Sequence, residues 1–103
     1  MRVLTKATLR KYALQHPDVA TEVMVLYDDM QRADWRTAAD VKAYDPGTRY
    51  VGNERWIFNL LRNRYRLIVQ IVFANNDNFN GQIFVRFIGT HAEYDRIPDA
   101  SAI

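Results

Sequence analysis

The feature that most constrains the fold is a change in the spacing of apolar residues near the middle of the chain. From residue 19 to residue 30 they recur every three or four positions, the period of an amphipathic helix packed on a core, at Val19, Val23, Leu26, Tyr27 and Met30. From residue 65 onwards they occupy alternate positions, as in strands with one buried face, at Tyr65, Leu67, Val69, Ile71, Phe73, Ile83, Val85 and Phe87. Helices followed by consecutive strands predict an α+β fold in which helices cover one face of a twisted antiparallel sheet.

Capping and breaking residues set the ends of the helices. Thr5 is typical of a helix N-cap, and a first helix is expected to end near Gln15, because the residue before Pro17 disfavours helical dihedrals. Pro17 itself suits the first turn of a second helix. A short third helix is predicted from Thr37 to Ala43, opened by a capping pair between Thr37 and Asp40.

Shorter strands are predicted around the two long ones. They lie at Val3–Leu4, at residues 49–51 and from Arg55 to Leu61. A tight connection at Arg62-Asn63 leads into the first long strand. The polar loop from Asn75 to Gly81 is expected to close a hairpin, because a glycine adopts positive φ without steric cost.

Length and composition exclude several classes of protein. A chain of 103 residues predicts a single domain over residues 1–103, with a loose tail from about residue 98 to residue 103. The absence of cysteine excludes disulfides and thiolate metal sites, and two histidines are too few for a histidine-rich metal site. No apolar run approaches the ~20 residues of a membrane span, and no secretory signal is visible. A cytoplasmic protein is the simplest interpretation.

The positive charge is concentrated in the strand region. Six arginines lie between residues 49 and 86, against two acidic residues. A guanidinium matches a phosphate with two hydrogen bonds, so this excess favours a nucleic-acid partner. Alternation puts Arg64, Arg66 and Arg86, together with Phe84, on the sheet face away from the helices, where RNA could bind. A basic face that is merely solvated has the same pattern, so charge alone does not decide between the two.

Several motifs carry a resemblance to a known family. Tyr65-Arg66-Leu67 lies in a predicted strand, and Gly89-Thr90-His91-Ala92-Glu93-Tyr94-Asp95 follows the last strand. Together with Arg32-Ala33-Asp34-Trp35 and Val51-Gly52-Asn53, they resemble the HigB family of the RelE/ParE toxin superfamily. The resemblance extends from the first residues to about Ile97.

This resemblance implies a fold, an activity and partners. The fold would be RelE-like, with two N-terminal helices packed on one face of the sheet and a short C-terminal helix. The activity would be that of a type II toxin–antitoxin toxin that cleaves mRNA at the ribosome, without a metal ion or an organic cofactor. The implied partners are the ribosome, mRNA and a helix-turn-helix antitoxin of the HigA type. DNA would be contacted only through that antitoxin, and no membrane is involved.

The chemistry of RNA cleavage points to particular residues of these motifs. Without a metal, the RNA 2′-hydroxyl is the nucleophile, and the protein must transfer protons and stabilise the charge on phosphorus. His91 is the predicted proton-transfer residue, because histidine exchanges protons near neutral pH. Arg66 and Arg86 are the predicted phosphate clamps. Tyr94 and Asp95 are predicted to orient His91 or the RNA.

Each of these residues also has an interpretation without function. Thr90 and Glu93 are spaced as a capping box, which would make His91 an ordinary exposed residue of a short helix. The two arginines could be solvated sheet residues, and the tyrosine could be a packing anchor.

Weaker assignments concern further RNA contacts, which are predicted at Arg64, Arg55, Arg62 and Asn59. A hydrogen bond within the sheet is an equal alternative for Asn59. The other histidine, His16, is interpreted as a helix-boundary residue, and Trp35 and Trp56 as packing residues.

Two features depart from the HigB pattern. Leu61-Arg62-Asn63 stands where the family often has Gly-Gly-Asn, whose glycines permit a left-handed turn, so the placement of Arg64 is in question more than that of Arg66. The loop Asn75–Gly81 is longer than usual. Two other functions stay open: a ParE-like toxin that binds DNA gyrase without catalysis, and an inactivated module that binds only RNA or the antitoxin.

Overall fold

The computed structural model describes residues 1–75 and 77–103, and it has the predicted α+β architecture. Its elements in chain order are β1 (Arg2–Leu4), α1 (Lys6–Gln15), α2 (Ala20–Arg32), α3 (Ala38–Tyr44), β2 (Arg49–Gly52), β3 (Arg55–Leu60), β4 (Tyr65–Val72), β5 (Gln82–Thr90), α4 (His91–Asp95) and a 3-10 turn at Ala100–Ala102. Apart from the start of α2, the predicted elements end within one or two residues of the observed ones. No described helix is long and apolar enough to cross a membrane.

The start of α2 differs from the prediction, whereas α1 begins at the predicted N-cap without a capping bond from its side chain. Residues 17–19 form a turn, so Pro17 precedes α2 instead of opening it, and Val19 is the N-cap. Thr5 is the N-cap of α1, but it has a φ of 68° and its side chain makes no capping bond. Its hydroxyl instead accepts a hydrogen bond from the Val85 amide at 3.2 Å, which ties the start of α1 to β5.

The sheet has five strands in the order β1-β5-β4-β3-β2. β1 runs parallel to β5 and the other neighbours are antiparallel, so the sheet is mixed at one edge, where an antiparallel sheet was predicted. One core joins side chains of α1 and α2 to those of the strands, among them Leu9, Val23, Met30, Phe58, Leu67 and Ile83. Trp35 and Trp56 belong to the same core, which confirms that both pack.

A β-bulge at Arg86 changes which side chains of β5 face the helices. Ile68 of β4 pairs with Phe87 and Val69 pairs with Val85, so Arg86 is the extra residue. Because side chains alternate between faces, one extra residue reverses the facing of those that follow. Phe87 therefore lies beside Ile68 on the face away from the helices, and Ile88 packs against the core instead. The prediction that Phe87 lies on the helix side is wrong for this reason.

The sheet face away from the helices is partly covered, whereas the alternation pattern predicted an open surface. Ile57 and Ile68 on this face are 1% and 0% exposed. Part of the cover comes from residues 98–103, for which the sequence predicts a loose tail. In the structure the segment forms the 3-10 turn, and the Ser101 carbonyl accepts a hydrogen bond from Asn53 Nδ2 at 3.0 Å.

The connection between β3 and β4 is a left-handed turn built without glycine. Leu61, Arg62 and Asn63 have φ values of 48°, 53° and 76°. In the connection between β4 and β5, Gly81 has the predicted positive φ, and a Cβ there would lie 2.6 Å from Met1 Cε. Asn76, within the predicted loop Asn75–Gly81, lies outside the described residues.

Candidate functional site

Two arginines hold the ring of Tyr94 on the face away from the helices. Arg49 Nη2 donates a hydrogen bond to Tyr94 Oη at 3.1 Å. The Arg66 guanidinium carbon lies 5.8 Å from the centroid of the same ring, within the range of a cation–π contact. These three residues are called the arginine–tyrosine cluster below. They come from β2, β4 and α4, so the cluster exists only in the folded chain.

Arg66 is held in the cluster by its own turn. Its side chain is mostly buried, with the residue 8% exposed. Nη1 donates to the main-chain oxygen of Asn63 at 2.7 Å and, more weakly, to that of Tyr65 at 3.3 Å. The sequence-based alternative of an ordinary solvated sheet arginine does not describe this side chain. A guanidinium fixed in this way loses little freedom when an anion binds it.

The short helix α4 carries Tyr94 to the cluster, and it is fixed at its N-terminus. Thr90 and Glu93 form the predicted capping box, with bonds of 2.8 Å from Thr90 N to Glu93 Oε1 and 3.1 Å from Glu93 N to Thr90 Oγ1. The hydrogen bond from the Thr90 amide is the main reason why the pKa of the Glu93 carboxyl is lowered. The His91 amide also donates to the Arg64 carbonyl at 2.8 Å. The capping box therefore anchors the helix whose Tyr94 contacts the two arginines.

His91 and Asp95 form a pair on this helix. His91 Nδ1 lies 3.2 Å from Asp95 Oδ1, and the two side chains are 50% and 59% exposed. With Nδ1 next to the carboxylate, Nε2 is the ring nitrogen left for a substrate. A carboxylate that orients an imidazole in this way is an arrangement used for proton transfer. The same spacing is also that of a surface i,i+4 pair, so geometry alone permits the chemistry without requiring it.

Arg86 shares the sheet face but belongs to a different set of contacts. Its Nε and Nη2 both donate to Gln70 Oε1, the former at 3.2 Å. Gln70 Nε2 in turn donates to Glu54 Oε1 at 2.9 Å, and the Arg86 guanidinium lies 5.6 Å from the Phe84 ring centroid. Gln70 is four residues beyond Arg66 on β4, which at the strand rise is about 13 Å. The two arginines predicted to act together therefore take part in separate clusters.

The four weaker predictions have different surroundings. Arg55 is 9% exposed, and its Nε and Nη2 donate to the Ile103 main-chain oxygen at 3.1 and 2.6 Å, so its guanidinium is engaged within the protein. Arg62 and Arg64 are exposed at the β3–β4 turn. Asn59 is half-buried on β3, directly across from Arg66.

Sequence reasoning missed Arg49. It was counted among the six arginines of the basic region, but nothing in its local sequence separates it from the others. Only the cross-sheet placement of β2 brings its guanidinium to Tyr94.

The second histidine does not belong to this cluster, although it is close enough to Glu93 of α4 to contribute to lowering the pKa of that carboxyl. His16 stacks on Tyr12, with ring centroids 3.8 Å apart, and its Nδ1 lies 3.1 Å from the Tyr12 carbonyl. Burial, with smaller contributions from Glu93, Tyr65 and Asp18, raises the pKa of Tyr12 to about 12. Within residues 1–75 and 77–103, no group of three or more His, Cys, Asp or Glu side chains is placed to hold a metal ion.

Comparisons with known proteins agree with one another. A family model described as HigB_toxin, RelE-like toxic component of a toxin-antitoxin system, matches residues 19–97. A protein of Escherichia coli O6:H1 named mRNA interferase HigB is 26% identical over 99 residues, which cover 94% of this chain and 91% of that protein. The mRNA interferase toxin HigB of Escherichia coli K12 is 24% identical over 98 residues, covering 92% and 88%. A Shigella flexneri protein named mRNA interferase HigB has the same identity and coverage.

Proposed function

Because the chain belongs to the HigB family, the RelE-like toxic components of toxin–antitoxin systems, we propose that it is a toxin that cleaves mRNA. The observation that carries the proposal is the arginine–tyrosine cluster, reached by the same short helix that bears the His91–Asp95 pair. A cationic site beside a proton-transfer group is what cleavage of a phosphodiester requires. The names of the Escherichia coli relatives, mRNA interferases, support the same activity.

The proposed reaction uses the RNA as its own nucleophile. The 2′-oxygen bonds to the adjacent phosphorus as its proton leaves, and the bond from phosphorus to the 5′-oxygen breaks as that oxygen gains a proton. His91 serves one of these two proton transfers, oriented by Asp95. Arg66 and Arg49 stabilise the negative charge that develops on the phosphoryl oxygens. Tyr94 positions the RNA, as a base-stacking surface or through its hydroxyl.

Exposed groups near the turn extend this site. Arg64 and Arg62 are accessible for phosphate contacts, and Asn59 lies across from Arg66. Arg55 contributes indirectly, since its guanidinium holds the C-terminal segment. Arg86 contacts the RNA farther along the same face.

The cellular context is proposed on the strength of the family. We propose that cleavage takes place on the ribosome, in the cytoplasm, and that it needs neither a metal ion nor an organic cofactor. A HigA-type helix-turn-helix antitoxin neutralises the toxin and carries any contact with DNA.

The first test is primer extension on a defined mRNA, with and without ribosomes. It compares the wild type with His91→Ala and uses His16→Ala as a matched control, because His16 stacks on Tyr12 and is part of neither the arginine–tyrosine cluster nor the His91–Asp95 pair. Discrete cuts that need ribosomes and His91, and that survive His16→Ala, would support the proposal. Growth arrest without any cut would overturn it and favour a ParE-like toxin, which a gyrase supercoiling assay would then detect.

A second test addresses the arginines. Arg66→Ala is expected to slow cleavage about 100- to 1000-fold, by analogy with loss of one hydrogen-bond donor to a developing oxyanion. Because Arg66 also bonds to Asn63, circular dichroism must establish that the variant is folded. Arg49→Ala removes a guanidinium with less burial and provides a second variant. Wild-type cleavage by both variants would exclude the cluster as the phosphate site.

A further inference from the structure

Arg86 and Phe84 form a separate, ordered pair on the sheet face that carries the proposed cleavage site. We propose that this pair is a second RNA subsite, which stacks one base of a nucleotide flanking the cleaved bond. The proposal rests on the proposed function and goes beyond it by assigning to Arg86 and Phe84 the stacking of one base. Three observations support it. Gln70 fixes the orientation of the guanidinium, and in doing so it occupies the Nε–Nη2 edge. The pair also lies on the same sheet face as the arginine–tyrosine cluster.

The guanidinium of Arg86 is held in one orientation although the residue is exposed. Gln70 Oε1 accepts from both Nε and Nη2, and the Gln70 amide is itself fixed by Glu54 Oε1 at 2.9 Å. The guanidinium carbon lies 5.6 Å from the centroid of the Phe84 ring, within the range of a cation–π contact. Arg86 is exposed to solvent, so the group is accessible to a ligand. A planar cation backed by an aromatic ring is a stacking platform for any base, because every base has a π-face.

The same contacts argue against a phosphate as the ligand. A bidentate phosphate contact uses two parallel N–H groups along one edge of the guanidinium. In Arg86 the side edge formed by Nε and Nη2 is already bonded to Gln70, which leaves the end formed by Nη1 and Nη2 for a phosphate. The carboxylate of Glu54 lies behind that amide and would repel an anion there. A base stacked on the exposed guanidinium would leave the contact with Gln70 intact, whereas a phosphate is restricted to the end of the group.

The subsite lies on a continuous path from the cleavage site. β4 carries Arg66 at one end of the path and Gln70 at the other, with Ile68 between them. The bulge at Arg86 brings Phe87 onto this face, across from Ile68. Ile68 itself is buried beneath its neighbours, so an RNA strand bound at the arginine–tyrosine cluster would reach Arg86 over the half-buried Phe87 of β5. The bulge therefore places both the apolar side chain of Phe87 and the guanidinium of Arg86 on this face of the sheet.

The test is a scan with abasic nucleotides in ribosome complexes. mRNAs carry a single abasic nucleotide at successive positions on either side of the cut, and single-turnover cleavage is measured for wild type, Arg86→Ala, Arg86→Lys and Phe84→Leu. Arg10→Ala, at an exposed arginine of α1, is the matched control. We expect one abasic position to slow the wild type about 5- to 150-fold, the range for loss of one stacked base. The same position should have little effect in Arg86→Ala, and Arg10→Ala should behave as the wild type.

For each protein, the cleavage rate of the intact mRNA is divided by that of the abasic mRNA, and this ratio is compared between wild type and variant. The comparison isolates the stacking contact, because effects of an abasic nucleotide on decoding are common to all variants and cancel. Arg86→Lys should resemble Arg86→Ala, since lysine keeps the charge but has no plane to stack on. Wild-type behaviour of Arg86→Lys would mean a phosphate contact and would overturn the stacking proposal. Equal abasic effects in wild type and Arg86→Ala at every position would overturn it too. If the wild type makes no cut in any complex, the proposed nuclease function is wrong. That outcome differs from normal cleavage without an abasic effect, which would contradict only the stacking subsite.

Discussion

The left-handed turn between β3 and β4 predicts that one substitution should make the protein more stable. Leu61, Arg62 and Asn63 all have positive φ, a conformation that costs an L residue roughly 1–2 kcal/mol relative to its right-handed form. Asn63 tolerates it best, because its short polar side chain can bond locally. Leu61 packs partly against the core, whereas the exposed Arg62 has no described contact that a substitution would lose. Arg62→Gly is therefore the cleanest way to remove the strain.

The net effect is smaller than the strain itself. Glycine has more freedom in the unfolded chain, which offsets roughly 0.5–1 kcal/mol of the gain. We expect Arg62→Gly to raise the free energy of unfolding by about 0.5–1 kcal/mol. With an m-value of about 2 kcal/mol/M, the urea midpoint should rise by about 0.3–0.5 M. Equilibrium urea denaturation followed by circular dichroism resolves a shift of this size.

The control for this prediction is Arg62→Ala, which removes the same charge but keeps a Cβ at positive φ. A surface substitution without strain relief should stay within about 0.5 kcal/mol of the wild type. If Arg62→Gly is no more stable than Arg62→Ala, the turn is not strained and the reasoning fails. The same pair of variants also bears on the proposed site, because Asn63 O anchors Arg66. Both variants lose the proposed phosphate contact of Arg62, so cleavage that is slower in Arg62→Gly than in Arg62→Ala would mean that the rigid turn orders the Arg66 guanidinium.

Three further predictions concern α4 and Tyr12. Thr90→Ala removes the N-cap of α4 and should lower the free energy of unfolding by about 1 kcal/mol in urea denaturation, with slower cleavage as Tyr94 loses its support. Because the pKa of Glu93 is lowered in the folded protein, its carboxylate stabilises the fold at any pH above the ordinary glutamate pKa. This stabilisation is lost as the pH falls through the lowered pKa. On acidification, thermal midpoints of the wild type should therefore fall more steeply than those of Glu93→Gln, and parallel curves would contradict this. Among the described residues, the Tyr12 hydroxyl is the buried side-chain polar atom without a hydrogen-bond partner, so Tyr12→Phe should be neutral or stabilising by up to about 1 kcal/mol; a clear loss of stability would show that the hydroxyl is paired.

Local patterns in the sequence predicted most of the secondary structure because the interactions behind them are local. The stripe from Val19 to Met30 predicted the buried face of α2, and the Thr37–Asp40 pair predicted the start of α3. The capping box of Thr90 and Glu93 was also readable, because both partners lie within one helical turn. Pro17 was misread because a proline is compatible both with the first turn of a helix and with a preceding turn.

Long-range pairing limited the prediction of the site. A strict alternation assigned Phe87 to the core, and nothing in the sequence around Arg86 indicates the extra residue that reverses it. The alternation did assign Arg66 to the face away from the helices, but it could not indicate that α4 and the C-terminal segment partly cover that face. Arg55 accordingly contacts Ile103, and Arg66 is mostly buried instead of solvated. Whether these residues act in catalysis stays a prediction for the assays above.

By itself the sequence determined the α+β class, the family and the group of residues from which a site could be built. Those properties follow from apolar spacing, capping chemistry and motifs, all of which involve residues that are close together in the sequence. Only the tertiary structure decided that Arg49 and Arg66 meet at Tyr94 and that Arg86 joins Gln70 and Phe84 instead. Register, one bulge and the docking of a five-residue helix set those contacts. They depend on residues far apart in the chain, which no local pattern relates.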